Sequence, residues 1–194
     1  MEEIIYKNIN LTILWSTVSY LWTYNIKRSK NPLLLNRLEN EKPLDDIVHR
    51  YTPQFFYTGK VHRVCDLCAV VFPLYIIFLN YKNLFIFQLL FELGIFHVYK
   101  QLVCMSTRFP PAKQAITINR SFCGFTTGIP IDYGISGHTS LPVLLFLHTN
   151  SNLALSNAIF QSILSIVTKD HYTIDVMHTW IFLLSIFNRM EFLY

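Results

Sequence analysis

Two short segments hold the residue types that carry out acid–base and nucleophilic chemistry. The first is Asp132-Tyr133-Gly134-Ile135-Ser136-Gly137-His138-Thr139, and the second is Asp170-His171-Tyr172-Thr173-Ile174-Asp175-Val176. In the first, Ser136 and Gly137 stand directly before an apolar run. A helix starting there presents unpaired backbone N–H groups and the positive end of its dipole, which together favour an anion such as phosphate. His138 lies in that first turn, placed to give or take a proton at a bound phosphate. In the second segment His171 and Asp175 are four apart, so on a helix their side chains share a face. A carboxylate that accepts one ring N–H fixes the tautomer and leaves the lone pair on the other nitrogen, which makes the imidazole a nucleophile.

Each segment alone has an ordinary structural reading. A serine at a helix start commonly serves as an N-cap, and a histidine–aspartate pair is often a plain hydrogen bond. The conjunction points to chemistry. His138 and His171 are separated by 33 residues, about the length of a helical hairpin at ~1.5 Å per residue. Such a hairpin returns the second histidine and its aspartate to the level of the first.

The elements that must do the positioning are apolar. Of 194 residues, 52% are hydrophobic, 15% aromatic and only 14% charged, where a soluble domain carries roughly a quarter charged residues. This composition excludes disorder, a collagen-like repeat and a disulfide scaffold, and the length suits one domain. A spanning helix needs roughly 20 mostly apolar residues. Six runs approach that description: about Ile9 to Ile26, Val64 to Tyr81, Leu84 to Met105, Thr139 to Thr149, Leu153 to Thr168, and Tyr172 to Phe187. The first has no small-residue cleavage site of the signal-peptide kind, so a retained span is expected. The predicted fold class is all-α, a polytopic membrane protein of six transmembrane helices with its active site at one membrane face. Residues 1–194 form a single transmembrane domain, its catalytic part about 84–190.

With six spans, the loops after the first, third and fifth share a face with both segments. The first of these loops carries 8 of the 16 Lys and Arg, and Asp45 to Tyr57 within it reads as an interfacial amphipathic stretch interrupted by Pro53. The second, about Ser106 to Gly137, holds four of the six glycines, as suits a loop that turns tightly and brings backbone close to a ligand.

Ser136-Gly137-His138-Thr139 with Asp132 four before the serine, followed by His171-Tyr172-Thr173-Ile174-Asp175-Val176, resembles the sphingomyelin synthase and ceramide phosphotransferase family. That family is a branch of the type 2 phosphatidic acid phosphatase (lipid phosphate phosphatase) superfamily. Tyr99-Lys100, followed by Ser106-Thr107-Arg108-Phe109-Pro110-Pro111, is similar to the family's segment at the end of the third span, and Pro43-Leu44-Asp45-Asp46 to its early proline, leucine and aspartate motif. The resemblance implies that His171 attacks the lipid phosphate and carries a phospho-headgroup covalently, that Asp175 orients it, and that His138 protonates the leaving alcohol and then deprotonates the acceptor. It further implies a phosphate-binding set drawn from Ser136, Gly137, Asp132, Arg108, Lys100 and Tyr172. The implied partners are lipids, a glycerophospholipid donor and a ceramide or diacylglycerol-type acceptor; no cofactor and no metal is called for. A multi-pass protein of the Golgi, endoplasmic reticulum or plasma membrane is expected. In the phosphatase branch the acceptor is water, and that branch shows a lysine, six residues, then Arg-Pro, with a Ser-Arg ahead of the nucleophile. This chain has Arg108-Phe109-Pro110 and Ser165-Ile166 instead, which favours transfer. A phosphatase using the same residues, or a non-catalytic lipid-binding protein of this fold, is the alternative.

Other polar residues are less specific. Cys65 and Cys68 form a lone C-x-x-C with no second pair to complete a zinc site, and read as helix-facing thiols. His178 follows Asp175 by three and could join it and His171 around a metal, though packing polarity is the commoner use. Asp66 and Glu92 fall in or beside spans and are expected to pair with polar neighbours, with substrate contact as the alternative. His97 and His148 show no partner pattern, and His49 and His62 lie in the charged loop. A net charge of +4, with aromatics confined to apolar runs, argues against nucleic acid. The face assigned to the site carries 13 of the 16 Lys and Arg, which the positive-inside rule would make cytosolic. The resemblance implies a lumenal or extracellular site and is given precedence, because eight of those charges lie in one loop that can run along the membrane surface.

Overall fold

The computed structural model describes residues 2–29, 42–53, 59–82, 86–107, 110, 121–122, 125–126 and 134–190. Among them the chain is all-helical apart from a two-residue antiparallel pair, β1 (Ser121–Phe122) and β2 (Phe125–Thr126). The helices are α1 (Glu2–Ser29), α2 (Ile47–Tyr51), α3 (Gly59–Asn80), α4 (Ile86–Ser106), α5 (Gly137–Thr149), α6 (Asn152–Val167) and α7 (Thr173–Met190).

Helices α1 and α3 begin earlier than their apolar runs, at Glu2 and Gly59. Charged and amide residues there continue a helix as readily as apolar ones, so a search for apolar runs finds only their inner parts. One described helix, Ile86–Ser106, is both long and apolar enough to cross a membrane; Val64–Asn80, Asn152–Val167 and Thr173–Phe187 are shorter apolar stretches.

Helix α5 is the centre of the molecule and touches α3, α4, α6 and α7. Thr139, Ser140, Pro142, Val143, Leu144 and Leu145 along it are all buried. An all-round apolar helix is what a central position requires. Around it pack Ile76, Leu89, Phe96, Ala154, Ala158 and Leu183. The α5–α6 turn is made by Asn150 in the left-handed region (φ 45°) and by Ser151, whose hydroxyl accepts from Leu153 N at 3.2 Å. Both are conventional devices for ending one helix and starting the next.

The long α1 lies against α4. Gly94 makes the close approach possible, since a Cβ there would stand 2.5 Å from Leu14 Cδ2. At the other end, Asn25 Nδ2 donates to Gln101 Oε1 at 2.6 Å, and Arg28 Nη1 donates to Met105 O at 2.8 Å. Arg28 thereby closes carbonyls that the end of α4 leaves without helical donors.

Candidate active site

The helical hairpin does bring the two histidines together. Their ring centroids are 6.0 Å apart and the planes cross at 63°. His138 arrives on the first turn of α5, and His171 on the turn that joins α6 to α7. That turn is tightly specified. Lys169 adopts φ 56°, Lys169 N donates to Ile166 O at 2.9 Å, His171 N donates to Ser165 O at 3.1 Å, and Thr168 Oγ1 donates to Asp170 Oδ2 at 2.8 Å. His171 is therefore held by its backbone before its ring makes any contact.

Asp175 is fully buried. Its Oδ1 accepts from Gly134 N at 3.0 Å, and its Oδ2 accepts from Tyr172 N at 3.1 Å and lies 3.4 Å from His171 Nδ1. Bonding to Tyr172 N is the reach-back half of a capping box at the start of α7. One carboxylate thus fixes the Gly134 loop and the helix start and lies against the His171 ring; a proton on Nδ1 facing it leaves the lone pair on Nε2. The Gly134 loop needs its glycine, because the backbone there turns through φ 106°.

His138 has a carboxylate of its own, and it comes from outside both segments. His138 Nε2 lies 2.8 Å from Asp66 Oδ1 of α3, with side chains 17% and 12% exposed. The site is thus two histidines, each backed by an aspartate, with its open side at His138. Asp66 was expected to find a polar neighbour, and that neighbour is His138.

Helix α5 begins beside this pair. Its N-cap Ser136 directs its hydroxyl to Thr139 Oγ1 at 3.0 Å and caps no backbone N–H; Ser136 N itself donates to Thr179 Oγ1 at 2.8 Å. Lys100 of α4 is buried, and its Nζ sits 2.6 Å from where a Cβ on Gly137 would be. The glycine leaves room for the amine at the helix start, and an anion there meets both the first-turn N–H groups and Lys100. Gly137→Ala is expected to push the amine aside without unfolding the chain, because the obstructing atom is the tip of a flexible side chain. Affinity for a phosphate anion should fall about tenfold, the cost of one charge-assisted contact, at an unchanged melting temperature; titration with a phosphate monoester and thermal unfolding of the variant measure both.

Tyr172 is buried, and its hydroxyl donates to Pro110 O at 2.9 Å and accepts from Leu44 N at 3.2 Å. It tethers two loops to the site, its hydroxyl hydrogen being given to a backbone carbonyl. Asp132 and Arg108 lie outside the described residues.

His178 takes the packing role that its sequence position favours: Nδ1 donates to Gly134 O at 2.9 Å, and Nε2 accepts from Tyr99 OH at 2.8 Å, so both ring nitrogens are used. His148, without a partner in the sequence pattern, lies 2.9 Å from Glu92 Oε2, while Gln88 Nε2 donates to Glu92 Oε1 at 3.0 Å. Burial of the Glu92 carboxylate requires such partners. His49, assigned to the charged loop, is instead buried, and among the described residues the amphipathic stretch around it is helical over the five-residue α2, which ends before Pro53 and is turned onto the site.

The contacts of α2 titrate. Burial holds His49 below its ordinary 6.5, against the opposing pull of Asp46 and of its hydrogen bond to His171 O. The unfolded chain then binds more protons than the folded one just below pH 6.5, so the stability of this contact falls as pH drops through that window. For Asp46, burial acts upward but is outweighed by hydrogen bonds from Thr173 and His49 and by the His49 charge, so its carboxyl sits below 3.8. Its contribution is present above 3.8 and is lost only in stronger acid. Amide-exchange protection over residues 47–51 should therefore be lower at pH 5 than at pH 7; equal protection contradicts the assignment of His49.

The chain matches no family profile, no curated protein and no solved structure.

Proposed function

We propose that the chain is a multi-pass membrane phosphotransferase that moves a phospho-headgroup from a glycerophospholipid to a ceramide-type hydroxyl through a phosphohistidine on His171. One observation carries this reading: two histidine rings 6.0 Å apart, one on the first turn of α5 and one on the α6–α7 turn, each with an aspartate at one ring nitrogen. A single His–Asp pair is common in packing. Two that face each other beside an uncapped helix start and a buried lysine suit a phosphate held between a nucleophile and an acid–base group.

In the first half-reaction the Nε2 lone pair of His171 forms a bond to phosphorus, and the bond from phosphorus to the glycerol oxygen breaks. The departing oxygen takes a proton from His138. In the second, His138 takes the proton of the acceptor hydroxyl, the acceptor oxygen bonds to phosphorus, and the bond to His171 breaks. The proton count on His138 returns to its starting value, as a catalyst requires.

A lipid environment is supported by what the helices leave uncovered. Leu74 and Phe78 of α3, Leu102 of α4, Ile163 of α6 and Ile181 of α7 are between 49% and 72% exposed. Apolar surface on several helices at once marks contact with lipid or a partner. At ~1.5 Å per residue α5 and α6 rise only about 20 and 24 Å, short of the ~30 Å hydrocarbon core. In place of two full spans, these two helices then form a hairpin that enters from the site face and turns back before the far headgroups, with the Glu92–His148 pair close to its turn.

The test is incubation of purified protein with headgroup-labelled glycerophospholipid and ceramide. Labelled sphingolipid, dependent on His171, is the expected product. Label released as water-soluble phosphate or phospho-headgroup indicates hydrolysis by the same residues, and no turnover of either kind removes the enzymatic reading.

A further inference from the structure

The first loop, remote in sequence from both histidine segments, clasps the turn that carries the nucleophile. Asp46 caps α2 through Oδ1, accepting from Val48 N at 2.9 Å and His49 N at 3.3 Å. The same carboxylate accepts from Thr173 N at 2.6 Å through Oδ2 and from Thr173 Oγ1 at 3.0 Å through Oδ1. It therefore starts two helices at once, α2 and α7. One turn on, His49 Nε2 donates to the backbone carbonyl of His171 at 3.0 Å, and its ring lies 5.2 Å from the Tyr172 ring. Tyr172 OH accepts from Leu44 N in the same loop. Residues 171, 172 and 173 are thus each bonded to the segment 44–49.

We infer that Asp46 and His49 are positioning residues for His171. This rests on the phosphotransfer reading above. The His171 side chain is aimed by the rotation of its own peptide, and the His49 contact fixes that rotation at the carbonyl. The cap by Asp46 has a second consequence. Both α5 and α7 begin at the site, and either start could attract an anion. Two carboxylates, Asp46 and Asp175, already occupy the N–H groups at the start of α7, whereas Ser136 leaves the start of α5 without a side-chain cap. A phosphate is steered to α5, between His138 and Lys100, and within reach of His171 from one side.

The clasp is tested in the full-length protein with His49→Leu, which removes the donor, and His49→Gln, which restores an N–H at the position of Nε2. Two readouts are taken. With labelled glycerophospholipid and ceramide, His49→Leu should lower kcat about tenfold, the worth of one buried hydrogen bond, with KM within about twofold, and His49→Gln should recover most of the loss. Independently of catalysis, carbethoxylation of His171 by diethyl pyrocarbonate, followed by peptide mass spectrometry, should accelerate in His49→Leu and return toward wild type in His49→Gln, while His178 in the same samples stays constant. A wild-type protein without transferase activity defeats the phosphotransfer reading and leaves the modification experiment to decide the clasp. Equal His171 reactivity in wild type and His49→Leu, or a His49→Gln variant no better than His49→Leu, overturns it.

Discussion

Replacement of His171 by alanine is expected to abolish headgroup transfer, lowering kcat by at least ~10³-fold with little change in donor binding. The size of the effect follows from the role. Without the imidazole no covalent bond to phosphorus forms, and the two half-reactions collapse into one that demands donor and acceptor lipid at the same moment. The fold should survive. What specifies the 168–172 turn is backbone geometry and the Thr168–Asp170 contact, and His171 takes part through its N–H and C=O groups, which alanine retains. The ring is almost fully buried, with 3% of the side chain exposed, so the substitution leaves a cavity and costs stability as other large-to-small replacements do. Thermal unfolding of the variant, set beside its transfer rate, separates the two effects: a modest drop in melting temperature with complete loss of turnover is the expected pair.

Asp66→Ala should cost about 10²- to 10³-fold in kcat, the range of general acid–base assistance, although Asp66 belongs to neither histidine segment. The carboxylate accepts from His138 Nε2 at 2.8 Å, a shorter contact than the 3.4 Å between Asp175 and His171. It holds the His138 tautomer with the lone pair on Nδ1 and stabilises the imidazolium formed when His138 takes the acceptor proton. Loss of Asp66 leaves the His138 ring free to rotate and removes the carboxylate that orients it. The predicted signature is a steeper loss in the second half-reaction than in the first, measured as accumulation of the phosphoenzyme in rapid-quench experiments. Asp66→Asn tests the charge apart from the contact, since the amide can still bond to the ring but cannot stabilise a cation. A variant at Asp66 with wild-type kcat and no accumulated intermediate would show that the pair is only packing.

How legible this site was in the sequence depended on distance along the chain. His171 and Asp175 are four apart on one helix start, and helical periodicity alone places them together. Hairpin length was sufficient to bring His138 to them. The partners that complete the arrangement have no such spacing: Asp66 is 72 residues from His138, Asp46 is 127 from Thr173, and Glu92 is 56 from His148. Nothing periodic links them, because helix packing, not helix geometry, sets those contacts. Asp46 did carry a local signal, standing immediately before the helix-forming run Ile47–Tyr51 as an N-cap residue does. Its second role, at the start of α7, requires the tertiary fold. Charge composition was misleading at His49 for a related reason. A loop rich in Lys and Arg reads as solvated, yet one short amphipathic turn within it presents His49 and Asp46 inward while Asp45 and Arg50 pair on the exposed side.

A covalent phosphohistidine on His171, on which the proposed reaction depends, can be trapped. Purified protein is mixed with headgroup-labelled glycerophospholipid in the absence of acceptor, quenched in alkali, where N-linked phosphoryl groups on histidine persist, and digested for mass spectrometry. Label is expected on the peptide containing His171, absent from His171→Ala, retained in His138→Ala only to the extent that the leaving alcohol departs unprotonated, and discharged when ceramide is added. Label on another residue, or transfer to ceramide with no labelled peptide at any time point, would contradict the phosphohistidine on His171.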